Sequence, residues 1–332
     1  MAKLNAKTVI KLALLILGLL LLFTLINRVG LLEIVKIISG AKINFLIYGV
    51  VVYLVLILIR SSKWFFLILA TGTKITFKEF LPFYGVNCLM GNITPFKTGE
   101  ATIPFLLKRY LKIPVGWGFS VIILDRFFEV VIFTLIFVAA VIHVINSGVA
   151  GGLVLAVFWW ALISLIILIS ILVIVVASKR TAFKIIKALS FFKKFSLIKK
   201  VLDFAEKELE IFYDGLSMFR NKKVYKFIIP LTLLCWFLEL FSFYLVMSSV
   251  LPASFLNVAT AQLVSIAAAL LTFIPVGIGI GEMGIVYVLN LFNYPAALSA
   301  SGALLVRFFI TGTLFAVGVI GTLLLKEKKE RE

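Results

Sequence analysis

Cysteine occurs twice and histidine once in 332 residues, and charged residues of all kinds make up only 14%. Each shortage excludes something. Cys88 and Cys235 each fall within or beside an apolar run, so neither a disulfide framework nor a cysteine metal site is built from them, and both read as small apolar fillers. His143, near the end of an apolar segment and without ligand partners in the sequence, reads as an interfacial residue rather than a proton relay. With no metal-ligand cluster and no nucleophile set beside a base, the sequence indicates no metal and no cofactor, and it is read as a non-enzyme.

Acidic residues are scarce as well, 15 against 33 Lys and Arg, for a net charge of +18. Such an excess can signal nucleic acid, but its placement argues against that partner. Thirteen of the 33 basic residues lie between Lys179 and Lys226, alongside the acids Asp203, Glu206, Glu208, Glu210 and Asp214. This segment, 179–226, separates two apolar runs, and the preference of basic loops for the inner face of a membrane makes it cytoplasmic. Within it Leu209, Phe212, Leu216 and Phe219 recur at helical spacing, which predicts a helix lying on the membrane surface with its lysines over anionic headgroups.

What the sequence has in plenty is hydrocarbon: 63% hydrophobic residues and a mean hydropathy of +1.18. Several apolar runs reach the roughly 20 residues needed to cross a bilayer core. The chain is therefore read as one integral membrane domain over 1–332, all-α and polytopic. Six full spans are expected near 8–27, 43–70, 115–145, 151–178, 227–250 and 297–325. The first follows Lys3, Lys7 and Lys11 like the core of a signal peptide, but no small-residue cleavage pattern comes before Asn27-Arg28, so it is expected to be retained.

Two further apolar stretches, 81–110 and 256–295, are interrupted. The first contains "GNITPFKTGEATIP" from Gly91 to Pro104, the second "FIPVGIGIGEMG" from Phe273 to Gly284. Pro95, Gly99, Pro275, Gly279 and Gly281 stand where a spanning helix would need its backbone paired. Irregular backbone at membrane depth survives only under cover of protein or a water-filled cavity, so each stretch is expected to be a re-entrant helical hairpin. In the first, Thr98 is the expected helix N-cap, with Gly99 and Glu100 opening a half-helix toward Lys108.

The basic residues set the sides. The amino terminus, the end of the second span (Arg60, Lys63, Lys74, Lys78), the end of the first hairpin (Lys108, Arg109, Lys112), the central loop and the tail (Lys326, Lys328, Lys329, Arg331) fall on one side, with both termini cytoplasmic at the cell membrane. Arg28, Lys36 and Lys42 fall on the other. The hairpins must then enter from opposite sides.

The two halves also match residue by residue. Pro114, Ser120, Leu124, Arg126, Phe127 and Phe128 reappear 181 residues later as Pro295, Ser301, Leu305, Arg307, Phe308 and Phe309, and Gly99-Glu100 corresponds to Gly281-Glu282 with a one-residue slip. Repeats over about 43–145 and 227–325 that enter from opposite sides form an inverted-topology repeat, the arrangement of alternating access around a midplane site.

Eight charges fall inside the apolar segments: Lys97, Glu100, Asp125, Arg126, Glu129, Glu239, Glu282 and Arg307. Each costs roughly 2.5–3.5 kcal/mol at a helix centre facing lipid, so they must pair or face water in a polar cavity. Lys97, Arg126 and Arg307 suit a phosphate oxygen, because guanidinium presents a planar fork of donors. Glu100 and Glu282 would hold the arginines charged and oriented. Asp125, Glu129 and Glu239 are given structural or coupling roles, together with Gly99, Gly279, Gly281, Pro95 and Pro275. The alternative is that all these charges are permanent salt bridges holding hairpins to spans. Two motif matches carry nothing. Gly279-Ile-Gly281-Glu-Met-Gly284 fits GxGxxG without a preceding strand, and the sequon Asn92-Ile-Thr94 lies in the cytoplasmic-side hairpin.

At "GNITPFKTGEATIPFLLKRYLKIP" followed by "SVIILDRFFEVV", and again at "FIPVGIGIGEMGIVYVL" followed by "LVRFF", the chain resembles the flippase-like membrane family (UPF0104-type) that includes the amino-terminal half of lysylphosphatidylglycerol synthase/flippase. The resemblance covers roughly residues 40–325. It rests on Gly99-Glu100 and Asp125-Arg126 in the first block and Pro275, Gly279, Glu282 and Arg307 in the second. It implies an all-helical membrane protein that moves lipids between leaflets. Members joined to a soluble aminoacyl-transferring domain also make the lipid; with the sequence ending at Glu332, that synthase activity is not expected here. The expected function is a flippase or scramblase for a phospholipid or a polyprenyl-phosphate-linked lipid, with membrane lipids of anionic headgroup as partners and a homo-oligomer as a possible assembly. The other classes considered are an intramembrane lipid-modifying enzyme, with paired carboxylates as acid and base, and a non-transporting membrane subunit.

Overall fold

The structure is a computed structural model that describes residues 6–149, 152–177, 179, 181, 208–217, 222–272, 274 and 277–331. Helix α1 (Ala6–Val29) leads through Gly30, at φ +98°, into the short α2 (Leu31–Ser39). The two axes bend by 81°, a turn whose positive φ is easiest for glycine. Helix α3 (Ile43–Ala70) follows as a full-length span. Then come α4 (Phe77–Ile93), a 3-10 stretch (Pro95–Thr102) and α5 (Ile103–Leu111), which together make the first hairpin. α6 (Val115–Asn146) and α7 (Gly152–Ala177) are long apolar helices. α8 covers 208–217. The second half runs through α9 (Lys222–Ser248), the hairpin of α10 (Phe255–Thr272) and α11 (Ile280–Leu291), then α12 (Ala296–Val306), a π turn (Arg307–Thr311) and α13 (Gly312–Arg331). No strand occurs among the described residues.

Local chemistry explains the hairpin geometry. Thr76 caps α4: its hydroxyl accepts from Glu79 N at 3.4 Å while Glu79 Oε2 accepts from Thr76 N at 2.7 Å, the reciprocal box that satisfies two orphan donors. At the other end of α4 the chain turns so tightly that a Cβ on Gly99 would sit 2.1 Å from Met90 O. The turn is fastened by Thr94, whose hydroxyl accepts from Gly99 N at 2.6 Å and donates to Met90 O at 2.9 Å. The cap expected at Thr98 is thus replaced: Thr94 takes the glycine N–H, and the chain continues in 3-10 turns until Ile103 and Pro104 open α5.

The core is built crosswise. α3 and α9 run antiparallel, joined by Lys42 N donating to Ser249 O at 3.0 Å and Ser242 Oγ donating to Gly49 O at 2.8 Å. The third helix of each half packs against the hairpin of the other. α13 lies on α4, where Gly321 and Gly85 bring the backbones so close that a Cβ on Gly85 would meet Gly321 Cα at 2.9 Å. α6 meets α10 through His143 and Asn257, Nε2 to Oδ1 at 2.8 Å, with His143 stacked on Phe292. His143 therefore has a polar partner and a helix-joining role that the sequence alone did not suggest. Chain direction and these contacts put the first hairpin in from the end where α3 finishes, and the second from the end where α9 finishes. The first residues of α1 and the last of α13 lie at the same end as α8.

The expected surface helix at 208–217 packs on protein instead. Phe212 and Leu216 are buried with Val121 and Ile122 of α6, and Glu208 Oε2 accepts from Gly116 N at 2.9 Å. Gly116 permits the approach, since a Cβ there would meet Phe212 N at 2.6 Å. Phe219 and most of the basic loop lie outside the described residues.

Candidate functional site

The intramembrane charges gather into two groups, one at each hairpin tip. At the first tip Glu100, 5% exposed, faces Arg126 on α6, with Oε2 to Nε at 3.4 Å. Gly91 makes room for it, lying against the Glu100 side chain. Arg126 also donates through Nη2 to Asp125 Oδ2 at 3.1 Å. Asp125 is held by two groups of α3, accepting from Trp64 Nε1 at 2.9 Å and pairing with Lys63 Nζ at 2.8 Å. Lys63, 1% exposed, continues to Glu129 Oε1 at 2.6 Å and to Thr232 of α9 at 3.5 Å. One turn away Arg60 is paired with Glu239. Thus α3, α6, α9 and the first hairpin share one ionic network.

The second tip repeats the central element. Glu282, 1% exposed, accepts from its own helix start at Gly279 N, 2.8 Å away, and is paired with Arg307 Nε. Arg307 Nη2 donates to Gly277 O at 3.2 Å. Gly277 and Gly279 have φ of +63° and +80°, which only glycine adopts without strain. Gly279 also lets the tip touch α1, since a Cβ there would lie 2.2 Å from Gly18 O. Gly281 admits the guanidinium: its Cβ would come within 3.2 Å of Arg307 Nη2.

The structure brings several of the expected residues near one another. Glu100 with Arg126, and Glu282 with Arg307, are brought together, and Asp125, Glu129, Glu239, Gly99, Gly279 and Gly281 all lie at or beside these contacts. Lys97 and Pro95 are on the 3-10 stretch with their side chains outside the described residues, and Pro275 lies outside them altogether. One correction follows. Arg60 and Lys63, taken from sequence as topology-setting charges at a span end, are instead a half-buried partner of Glu239 and a buried partner of Asp125 and Glu129. Of the two outcomes expected for the intramembrane charges, the described carboxylates Glu100, Asp125, Glu129, Glu239 and Glu282 take the first: each lies within reach of a cation. Apolar flanks hid the two cations, since a long basic side chain near a helix end ordinarily snorkels outward.

The two arginines behave alike. Each faces acceptors of its own half: Arg126 lies within ion-pair distance of Glu100 through Nε and donates to Asp125 through Nη2, and Arg307 donates to Glu282 through Nε and to the Gly277 carbonyl through Nη2. Each keeps more of its surface open than its partners do: 27% and 29% of the side chain is exposed, against 6% for Glu100 and 1% for Glu282. A guanidinium held by a carboxylate and still partly exposed can accept a planar or tetrahedral oxyanion. No group of three or more His, Cys, Asp or Glu suited to a metal ion occurs among the described residues.

The chain is 24% identical over 327 residues to a UPF0104 membrane protein of Methanocaldococcus jannaschii, covering 96% of each. No solved structure matches it. The family whose pattern it fits spans residues 9–318 and so contains both hairpins and both Arg–Glu pairs. This all-α, multi-pass chain belongs to the lysylphosphatidylglycerol synthase TM region family.

Proposed function

We propose that the protein moves a lipid between leaflets, as a flippase or scramblase, and that Arg126 and Arg307 receive its anionic headgroup in turn. The lipid is a phospholipid or a polyprenyl-phosphate-linked lipid, whose phosphate each partly exposed guanidinium would take while the tails stay in the bilayer. The observation carrying this reading is the repetition of one partly open, carboxylate-oriented arginine at two hairpin tips that enter from opposite ends. A passive anchor needs no such repetition; alternating access does. The chain's membership of a family described by lipid synthesis supports a lipid-related role. In this reading the repeats over about 43–145 and 227–325 move against each other, the protein is a transporter and not an enzyme, and the basic end faces the cytoplasm of the cell membrane.

The test is a ranked series at each arginine in purified protein reconstituted into liposomes. Lysine keeps the charge and loses the fork; glutamine loses both. Transbilayer movement of a labelled anionic phospholipid should rank arginine above lysine above glutamine. Glutamine should slow it by about tenfold or more, the consequence of losing a charge-assisted hydrogen bond of about 1.5–3 kcal/mol. Thermal unfolding of the same samples separates a headgroup contact from a structural pair. Lipid movement at the parental rate in both glutamine variants, or a loss that merely follows unfolding, rules out the headgroup role.

A further inference from the structure

The end of the molecule away from the basic loop carries few charges, and they are not scattered. Arg28, Glu33, Lys36 and Lys42 are its four charged side chains. All four converge on two adjoining cavities. One, of about 440 Å³, is lined by Thr24, Arg28, Glu33, Tyr287 and Asn290 among others. The second, of about 630 Å³, is lined by Glu33, Lys36, Lys42 and Ser249 among others. Glu33 and Ala297 belong to both. Each volume falls in the range of small-molecule sites, roughly 300–1,000 Å³. Three cations against one carboxylate leave a net positive vestibule, and none of the four forms an ion pair among the described residues. Basic residues on this end run against the charge bias that sets topology, so their concentration around cavities points to another task.

Helix α2 shows what approaches them. It turns 81° away from α1 and buries Ile34 against the protein. Leu31, Leu32 and Val35 are turned outward, with 60%, 86% and 55% exposure. An amphipathic helix of this kind lies along the membrane boundary with its apolar residues among acyl chains. Glu33 and Lys36, on the cavity side, then sit at headgroup depth.

We infer that these two cavities form a vestibule that binds the phosphate of an anionic phospholipid headgroup from the leaflet at this end, with Arg28, Lys36 and Lys42 as its donors and Glu33 limiting their attraction. That this vestibule exchanges headgroups with Arg307 rests on the transport reading above; the binding itself does not. The experiment is native mass spectrometry of protein released from vesicles of equal phosphatidylglycerol and phosphatidylcholine. The parental protein should retain phosphatidylglycerol preferentially. Arg28→Gln/Lys36→Gln/Lys42→Gln should lower that preference at least fivefold, and Glu33→Gln should raise it, which keeps the test alive if the triple variant folds poorly. An unchanged lipid ratio in both variants overturns the site. Displacement of the bound lipid by millimolar inorganic phosphate would instead assign it to a soluble phosphate compound and overturn the lipid source. Because the readout is retention and not movement, parental transport in Arg126→Gln and Arg307→Gln would sink the headgroup role of those arginines, and absence of lipid movement by the parental protein would sink the transport reading, without touching this one.

Discussion

Lys63 is the residue on which the first ionic group turns. Its ammonium lies between Asp125 and Glu129, 1% exposed, in the middle of four packed elements. Removing it takes a cation from both carboxylates, although Asp125 keeps Arg126, and breaking such a buried pair costs about 3–5 kcal/mol. Lys63→Met should therefore lower stability by that amount in chemical unfolding in detergent. Glu129→Gln placed in the Lys63→Met background should cost much less than it does alone, since the two residues share one interaction. Full additivity of the two changes would contradict the pairing. Trp64→Phe tests the same group from its other side: loss of the indole donor to Asp125 should cost roughly 1–3 kcal/mol, read by the same unfolding curve. The acids of this network were legible in the sequence because an acid inside an apolar run has no innocent explanation. Arg60 and Lys63 were not, because they stand close enough to a span end for a snorkelling reading, and only the antiparallel seat of α9 shows which way they turn.

Helices and hairpins were legible to within a few residues wherever punctuation was strong. Pro and Gly marked both tips, and α3 spans 43–70 as expected. What failed was the fine structure of the breaks. Thr98 and Thr94 are equally good capping residues by type, and the choice between them was made by the close pass of Gly99 over Met90 O. The surface reading of 208–217 failed for a similar reason: its apolar stripe fits a membrane or a protein groove equally well, and the groove exists because Gly116 lacks a side chain. The π turn at Arg307–Thr311 has no sequence signal either. The tips supply a prediction at this scale. Gly279→Ala places a Cβ 2.2 Å from Gly18 O at a φ of +80°, so it should destabilise by more than the 1–3 kcal/mol usual for overpacking. Gly72→Ala, also at positive φ but with open space around it, should show the backbone strain alone. Similar losses in both variants would mean that the α1 contact contributes nothing.

At the scale of the whole molecule, the opposed hairpins make a claim about sides. In a background with Cys88 and Cys235 replaced by alanine, Lys74→Cys at the mouth of the first hairpin and Ser254→Cys at the mouth of the second should react with an impermeant thiol reagent from opposite faces of sealed vesicles. The Lys74→Cys face should be the one that also exposes the basic loop. Reaction from one common face would overturn the inverted arrangement. Sequence gave access to this architecture through the paired motifs 181 residues apart, but not to the crosswise packing, which follows from small residues on α4 and α13 that have no charge or proline to announce them.

That crosswise packing constrains how the protein is made. α4 leaves the ribosome about 220 residues before the helix that covers its Gly85 face. At a synthesis rate of about 5–20 residues per second, the interval is roughly 11–44 s. During it the first hairpin is inserted without its permanent neighbour, so its small-residue groove must be filled by lipid or by a chaperone of the insertion machinery until α13 arrives. Biogenesis, rather than the finished fold, is thus where substitutions at Gly85, Gly318 and Gly321 should act first, as slower release from the insertion site and faster degradation of the nascent chain.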